Sequence, residues 1–317
     1  MDEDKRMWGI MVSDGAREKR PRLLGIQVAG ESTGSGEGAR VASVAPWLSD
    51  TDDFASDGRG ERYGPDPREA DAVADLSAFF QTHRDQVFFS RQLEVQNEEK
   101  YFHWITNRAL RELRTRGVLL GETRLLSSGG SINLLWHRSH RFYKRSSTRL
   151  VRLVEEYADP NIGGALGLHG EAMVLEGFAR SQFVMRGRNT RSFAGRTWEG
   201  GEQNLDFIFE RDGIAYGVEV KNTLGYLDHD EFDAKTRLCQ FLGLNPVFAV
   251  RMLPKTWIND LNQERGFALV MKFQLYPWTH KELARRVKAE LGLPVDAPRA
   301  LADGTMKRFL DWHVGHL

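Results

Sequence analysis

The chain has 317 residues, 41% of them hydrophobic, 28% charged and 10% aromatic. That is enough apolar matter for a sizeable core in one to three domains, and it excludes a wholly disordered or fibrous chain. No apolar run reaches the roughly 18–20 residues of a membrane-spanning helix. The one cysteine, Cys239, excludes an intrachain disulfide and a cysteine-built zinc site. With no apolar leader in the first 25 residues, it points to a reducing, cytoplasmic setting.

Lys plus Arg and Asp plus Glu are equal, at 44 each, but they are not evenly spread. Residues 1–75 carry 10 basic and 16 acidic side chains, while residues 84–149 carry 13 basic and 6 acidic ones. The first 70 residues read as a flexible acidic arm, rich in Gly, Ser and Glu over Ala29–Gly38 and in Asp, Gly and Pro over Ser49–Pro67. Such stretches bury too little to offset their chain entropy. If the arm docks anything, it docks a protein partner.

From residue 71 the periodicity tightens. Asp71–His83 and Ser90–Gln96 read as helices, and Glu98–Arg116 as an amphipathic helix with Phe102, Ile105, Ala109 and Leu113 on one side. Gly117 ends it. Val118–Leu126 and Ile132–Trp136 read as two strands around a turn containing Gly129 and Gly130. Three helices and a hairpin, with the ending Leu113-Arg-Thr-Arg-Gly-Val-Leu, resemble the winged helix-turn-helix family, and residues 71–149 are its expected extent. Lys100, His103, Asn107, Arg111 and Arg114 follow spacings that put them on one helix face, opposite the apolar one. Asn and Arg read base edges, and Lys meets phosphate. Arg124 in the expected wing, with Arg138, Arg141, Lys144, Arg145 and Arg149 after it, adds to a basic surface suited to DNA.

Leu150–Tyr157 reads as a connecting helix, and Asp159–Gly164 as a turn-rich break before a second domain over 160–317. There a helix at about 165–181 precedes a strand-rich stretch over 183–223. A helix at 230–242, a strand at 246–252, a further helix and strand in 255–276 and a helix Lys281–Leu291 follow. This mixture predicts an α/β sandwich around a central sheet.

The segment Asn204–Thr223 carries the chemistry. Asp212-Gly213 is a preferred two-residue hairpin loop, because both residues tolerate positive φ. That register sets Asp206 opposite Glu219 and puts Lys221 on the same sheet face, while Leu205, Phe207, Phe209, Ile214, Tyr216, Val218 and Val220 form the other. Two facing carboxylates repel unless a cation lies between them. Mg²⁺, with Mn²⁺ able to substitute, takes such oxygen ligands. A lysine beside it can hold a phosphate oxygen or activate a water. On the preceding helix, Leu168, Ala172, Leu175, Phe178 and Ala179 form an apolar stripe that includes Glu171. A carboxylate there needs a counter-charge. Glu176 lies off the stripe and can pair with Arg180.

Glu171, Asp206 and Glu219-Val220-Lys221 resemble the motif of the PD-(D/E)xK nuclease superfamily, the restriction-endonuclease-like and Holliday-junction-resolvase-like enzymes, over about residues 160–276. Leu205 stands where some members have a proline. The resemblance implies an α/β/α sandwich with a mixed central sheet and an endonuclease that hydrolyses DNA phosphodiesters. It implies that Glu171, Asp206 and Glu219 organise metal, and that Lys221 positions the attacking water or stabilises the pentavalent phosphate. Cutting two strands with one site each favours a homodimer. The rival readings are a DNA-binding regulator with an inactive nuclease fold, and a subunit of a transposition, restriction or defence complex that is inert alone. Lys235 and Gln240 read as surface residues, Cys239 as core, and Asp228 with Glu231 as a capping-box helix start rather than a metal cluster.

Overall fold

Amphipathic periods in the first third become helices α1 (Glu69–Thr82), α2 (Ser90–Asn97) and α3 (His103–Thr115) in the computed structural model, which describes residues 66–317. The acidic arm expected over 1–70 lies outside the described residues up to position 65. Strand β1 (Val87–Phe89) precedes α2, and the hairpin β2 (Leu119–Leu125) and β3 (Ser131–His137) follows α3. They form an antiparallel sheet in the order β1-β3-β2. Three residues leave no readable period, so β1 had no sequence signal. In the hairpin turn Gly129 and Gly130 adopt φ of 87° and 79°, a region that disfavours other residues.

The third helix was expected to start at Glu98, but it starts at His103. Residues 98–102 turn instead, because Tyr101 is buried and its hydroxyl donates to Asp75 Oδ2 at 2.6 Å. The Lys100 and Tyr101 N–H groups close on the Asn97 carbonyl.

Helix α4 (Tyr143–Tyr157) leads almost directly into α5 (Pro160–Arg180). The break expected at 159–164 is therefore a helix start. Asp159 caps it by accepting the Asn161 N–H at 2.8 Å, with Pro160 in the first turn. Cap and proline outweigh the roughly 1 kcal/mol that each of Gly163 and Gly164 costs inside a helix.

Next come β4 (Val184–Thr190), the small hairpin β5 (Ser192–Phe193) and β6 (Arg196–Thr197), β7 (Leu205–Arg211) and β8 (Ile214–Lys221). Helix α6 (His229–Leu242), β9 (Asn245–Val250), α7 (Lys255–Gln263) and β10 (Phe267–Val270) continue the chain. The chain then runs through β11 (Gln274–Leu275), α8 (Lys281–Leu291), β12 (Val295–Asp296) and α9 (Asp303–Val314). The fold is mixed α/β with a mixed central sheet of order β10-β9-β8-β7-β4, antiparallel from β4 to β8 and parallel from β8 to β10.

Helices cover both faces. Phe178 of α5 and Phe309 of α9 pack with Phe207, Phe209, Tyr216 and Val218. On the other face Leu238, Cys239 and Leu242 of α6 meet Leu205 and Ile208, and Leu261 of α7 meets Phe248 and Val250. Leu205 was expected beside Phe207. It turns to α6 because pairing with β8 ends at Phe207, beyond which that ladder no longer sets the alternation. A further core joins Phe89, Leu134 and Trp136 to Val154, Leu166, Leu224, Tyr276, Val287 and Val295. The segments before and after residue 160 thus bury one another.

Candidate active site

The Asp212-Gly213 loop sets the expected register, with Ile214 opposite Arg211 and Val218 opposite Phe207. Asp212 and Gly213 take φ of 52° and 77°, as such a loop requires. One residue beyond the last pair of the ladder, Phe207 with Val218, Asp206 does not continue it with its backbone. Its Oδ2 accepts the Val220 N–H at 2.7 Å instead. The strands therefore part at the position where their carboxylates meet. Glu219 is buried, at 4% exposure, and Asp206 is half-buried. Burial raises the Asp206 carboxyl above its usual range and the Glu171 charge adds to it, against the Val220 N–H and the charges of Lys235 and Lys221. Burial, and then the Asp206 charge, push Glu219 up to about 7 even with Lys235 beside it.

Glu171 comes from α5, but not from the stripe expected. That helix buries Leu166, Gly170, Met173, Val174, Gly177 and Phe178, and leaves Leu168 66% exposed. The packed face is marked by glycines, which carry no hydropathy signal. A side-chain carbon on Gly170 would stand 2.5 Å from the Asn222 Cβ. Glu171 therefore sits at the border of the buried face, where its Oε2 accepts from Arg188 Nη2 of β4 at 3.4 Å. Glu176 pairs with Arg180 at 2.8 Å on the surface, as its spacing predicted.

Lys221 donates to Glu231 at 2.6 Å. Burial alone would lower its pKa, but the Glu231 hydrogen bond and the charges of Glu231, Glu219 and Asp206 outweigh that and raise it. Asn222, the next residue, fixes the strand end. Its Nδ2 donates to the Leu166 and Leu275 carbonyls, each at 2.7 Å, and its Oδ1 accepts the Leu275 N–H at 2.6 Å.

Three residues of this arrangement were not selected from the sequence: Arg188, Glu231 and Lys235. Lys235 read as surface but is only 7% exposed. Its ammonium donates to Glu219 Oε2 at 2.6 Å and to the Asn204 carbonyl. Asp228 does cap α6, accepting the Asp230 and Glu231 N–H groups at 2.8 and 3.3 Å, but Glu231 turns to Lys221 rather than back to the cap. Gln240 lies on the surface bonded to Glu264, and Cys239 is core, with burial raising its thiol.

Among the described residues no group of three or more His, Cys, Asp or Glu side chains is gathered closely enough to cage a metal. The donor chemistry nevertheless suits a hard cation. Asp206 Oδ1 and Glu219 Oε1, from neighbouring strands, are not used in the hydrogen bonds above, and the Glu171 charge reaches Asp206. Magnesium typically takes one or two carboxylates and keeps several waters. Asp206 and Glu219 would hold it directly and Glu171 through water.

The expected DNA row divides. Arg111 and Arg114 are exposed on α3, Arg124 is exposed on β2 beside Glu122 at 2.7 Å, and Lys100 is exposed but paired with Asp75. His103 and Asn107 turn inward. The His103 ring stacks on Tyr226 at 4.3 Å, and burial, then the Arg91 charge, lower its pKa to about 3, so it stays neutral. Asn107 donates to Glu94 at 2.8 Å. Glu94 of α2 and Tyr226 cover that end of the row, while the end with Arg111 and Arg114 stays open. No helix among the described residues is long and apolar enough to cross a membrane. No family model, curated protein or solved structure matches the chain.

Proposed function

We propose that the chain is a Mg²⁺-dependent DNA endonuclease of the PD-(D/E)xK type, with a winged-helix segment that grips the duplex. The observation that carries this reading is the parting of β7 and β8 at Asp206 and Glu219, two carboxylates that burial holds above their usual range, Glu171 adding to the first and Asp206 to the second, with Lys221 alongside. A bound cation would supply a polarised water and charge neutralisation at a phosphodiester. Asp206 and Glu219 would hold it, with Glu171 acting through water. Lys221 stays protonated, so its role is to hold a phosphate oxygen rather than to accept a proton. The order of three helices, an inserted β1 and the β2–β3 hairpin supports the winged helix, with Arg111, Arg114 and Arg124 towards the DNA backbone. An α/β/α sandwich of the restriction-endonuclease type is the finer reading of the mixed sheet covered on both faces. The setting proposed is cytoplasmic, with a homodimer cutting both strands.

The test is incubation of the chain with linear, supercoiled, single-stranded and four-way-junction DNA in Mg²⁺, Mn²⁺ or EDTA. Cleavage is expected with metal alone, and Asp206→Ala should abolish it while leaving DNA binding intact. Cleavage in excess EDTA, or by Asp206→Ala, would overturn the assignment.

A further inference from the structure

Helix α6 and strand β8 are charged as complements of one another. Along β8, Glu219 and Lys221 are two residues apart; along α6, Glu231 and Lys235 are four apart. Four helical residues rise about 6 Å and two strand residues about 6.6 Å, so the two spacings match. The chain runs in opposite senses along the two elements, so the charges meet crosswise. Lys221 meets Glu231 at 2.6 Å and Glu219 meets Lys235 at 2.6 Å. The two pairs differ in burial. Lys221 and Glu231 keep 35% and 31% of their side-chain surface, whereas Lys235 and Glu219 keep 8% and 6%. Lys235 also donates to the Asn204 carbonyl, so two oxygens at the mouth of the parted strands converge on its ammonium. Its charge bears on Asp206 as well.

We infer that Lys235 is the resident counter-ion of the site: on Glu219 Oε2 it repels a divalent cation approaching Glu219 Oε1 and Asp206 Oδ1, so that full binding of the cation drives Lys235 to withdraw. This rests on the metal-dependent reading above and adds regulation of the same site. A buried carboxylate pair needs positive charge, and two cations on one oxygen set repel. The lysine keeps the fold neutral without metal, and it sets a threshold that the metal, or the metal with a DNA phosphate, must exceed.

Binding of Mn²⁺ to the full chain at pH 8.5, read from loss of the free-ion electron paramagnetic resonance signal, tests this. Lys235→Met should bind Mn²⁺ at least about tenfold more tightly than the wild type. Lys235→Arg, which keeps the charge, should stay within about twofold. Equal or weaker binding by Lys235→Met, or equal tightening by Lys235→Arg, would overturn the inference while leaving a metal-binding chain. Absence of Mn²⁺ binding to every protein would overturn the metal reading together with it. A second measurement needs no variant: acylation of the wild-type amines, located by mass spectrometry. Lys235 should be protected without Mn²⁺ and become labelled as Mn²⁺ saturates the site; protection that persists at saturation would overturn the inference.

Discussion

A carboxylate buried between another carboxylate and a lysine should titrate far from the range of surface glutamates, and Glu219 gives this a measurable form. Its folded pKa stands near 7 against 4.5 for an unperturbed glutamate. Between those values the native state keeps a proton that the unfolded chain has released, so the contribution of Glu219 to stability falls as pH rises through that window. Glu219→Gln removes the titration but keeps the shape. The stability of the variant relative to the wild type should therefore rise between about pH 4.5 and pH 7 and level off above. Urea titrations of both proteins across that range measure the difference, and a difference independent of pH would mean that burial and Asp206 do not dominate. The same residue shows what the sequence could yield. Asp212-Gly213 fixed a register, and the register brought Asp206 to Glu219. The partner Lys235 was missed because burial of an isolated lysine has no local signature, although the matched spacings of Glu219, Lys221, Glu231 and Lys235 were open to reading.

Elements packed through glycine or through side-chain hydrogen bonds were the least legible. The buried face of α5 runs through Gly170 and Gly177, so the expected stripe, right at Phe178 and Leu175, was wrong at Leu168, Ala172 and Ala179, which are exposed. Helix α9 was not expected at all, yet it closes one face of the sheet. Its His313, fully buried, joins the Tyr216 hydroxyl at 2.6 Å through Nδ1 and Asp212 Oδ2 at 3.0 Å through Nε2. One side chain thus ties the C-terminal helix to the strand and to the loop of the hairpin that carries the site. His313→Ala would leave the Tyr216 hydroxyl unsatisfied in the core and open a cavity beside Phe183 and Tyr216. Together these effects should cost about 2–4 kcal/mol. Urea unfolding with an unchanged slope should show that loss. A cost below about 0.5 kcal/mol would mean that α9 is held by Phe309 and Trp312 alone.

At the scale of the molecule, the sequence suggested two modules separated at residue 159, and the structure joins them. Contacts between distant segments leave no local period, which is why a turn-rich break between domains was expected where a capped helix begins. Besides the shared apolar core, a buried ion pair crosses the seam. Arg251, at 4% exposure just past β9, engages both carboxylate oxygens of Glu98, with Nη2 at 2.8 Å, and donates to the Leu224 carbonyl at 3.0 Å. The Tyr226 hydroxyl adds a bond to Glu98 at 3.1 Å, and His103 at the start of α3 stacks on the same tyrosine. Helix α3 is thereby fixed to the loop between β8 and α6, next to Lys221. Removing one member of a buried pair costs more than the pair contributes, because the remaining charge is left without compensation. Arg251→Ala should therefore destabilise by about 3–5 kcal/mol, and Arg251→Met with Glu98→Met by less than either single change. Unfolding of residues 66–317 should follow one transition, coincident in tryptophan fluorescence and far-ultraviolet circular dichroism, in the wild type and in the double variant. Two separated transitions in the wild type would show that the segments before and after residue 160 fold as independent units, and the seam would then be an interface between domains rather than a common core.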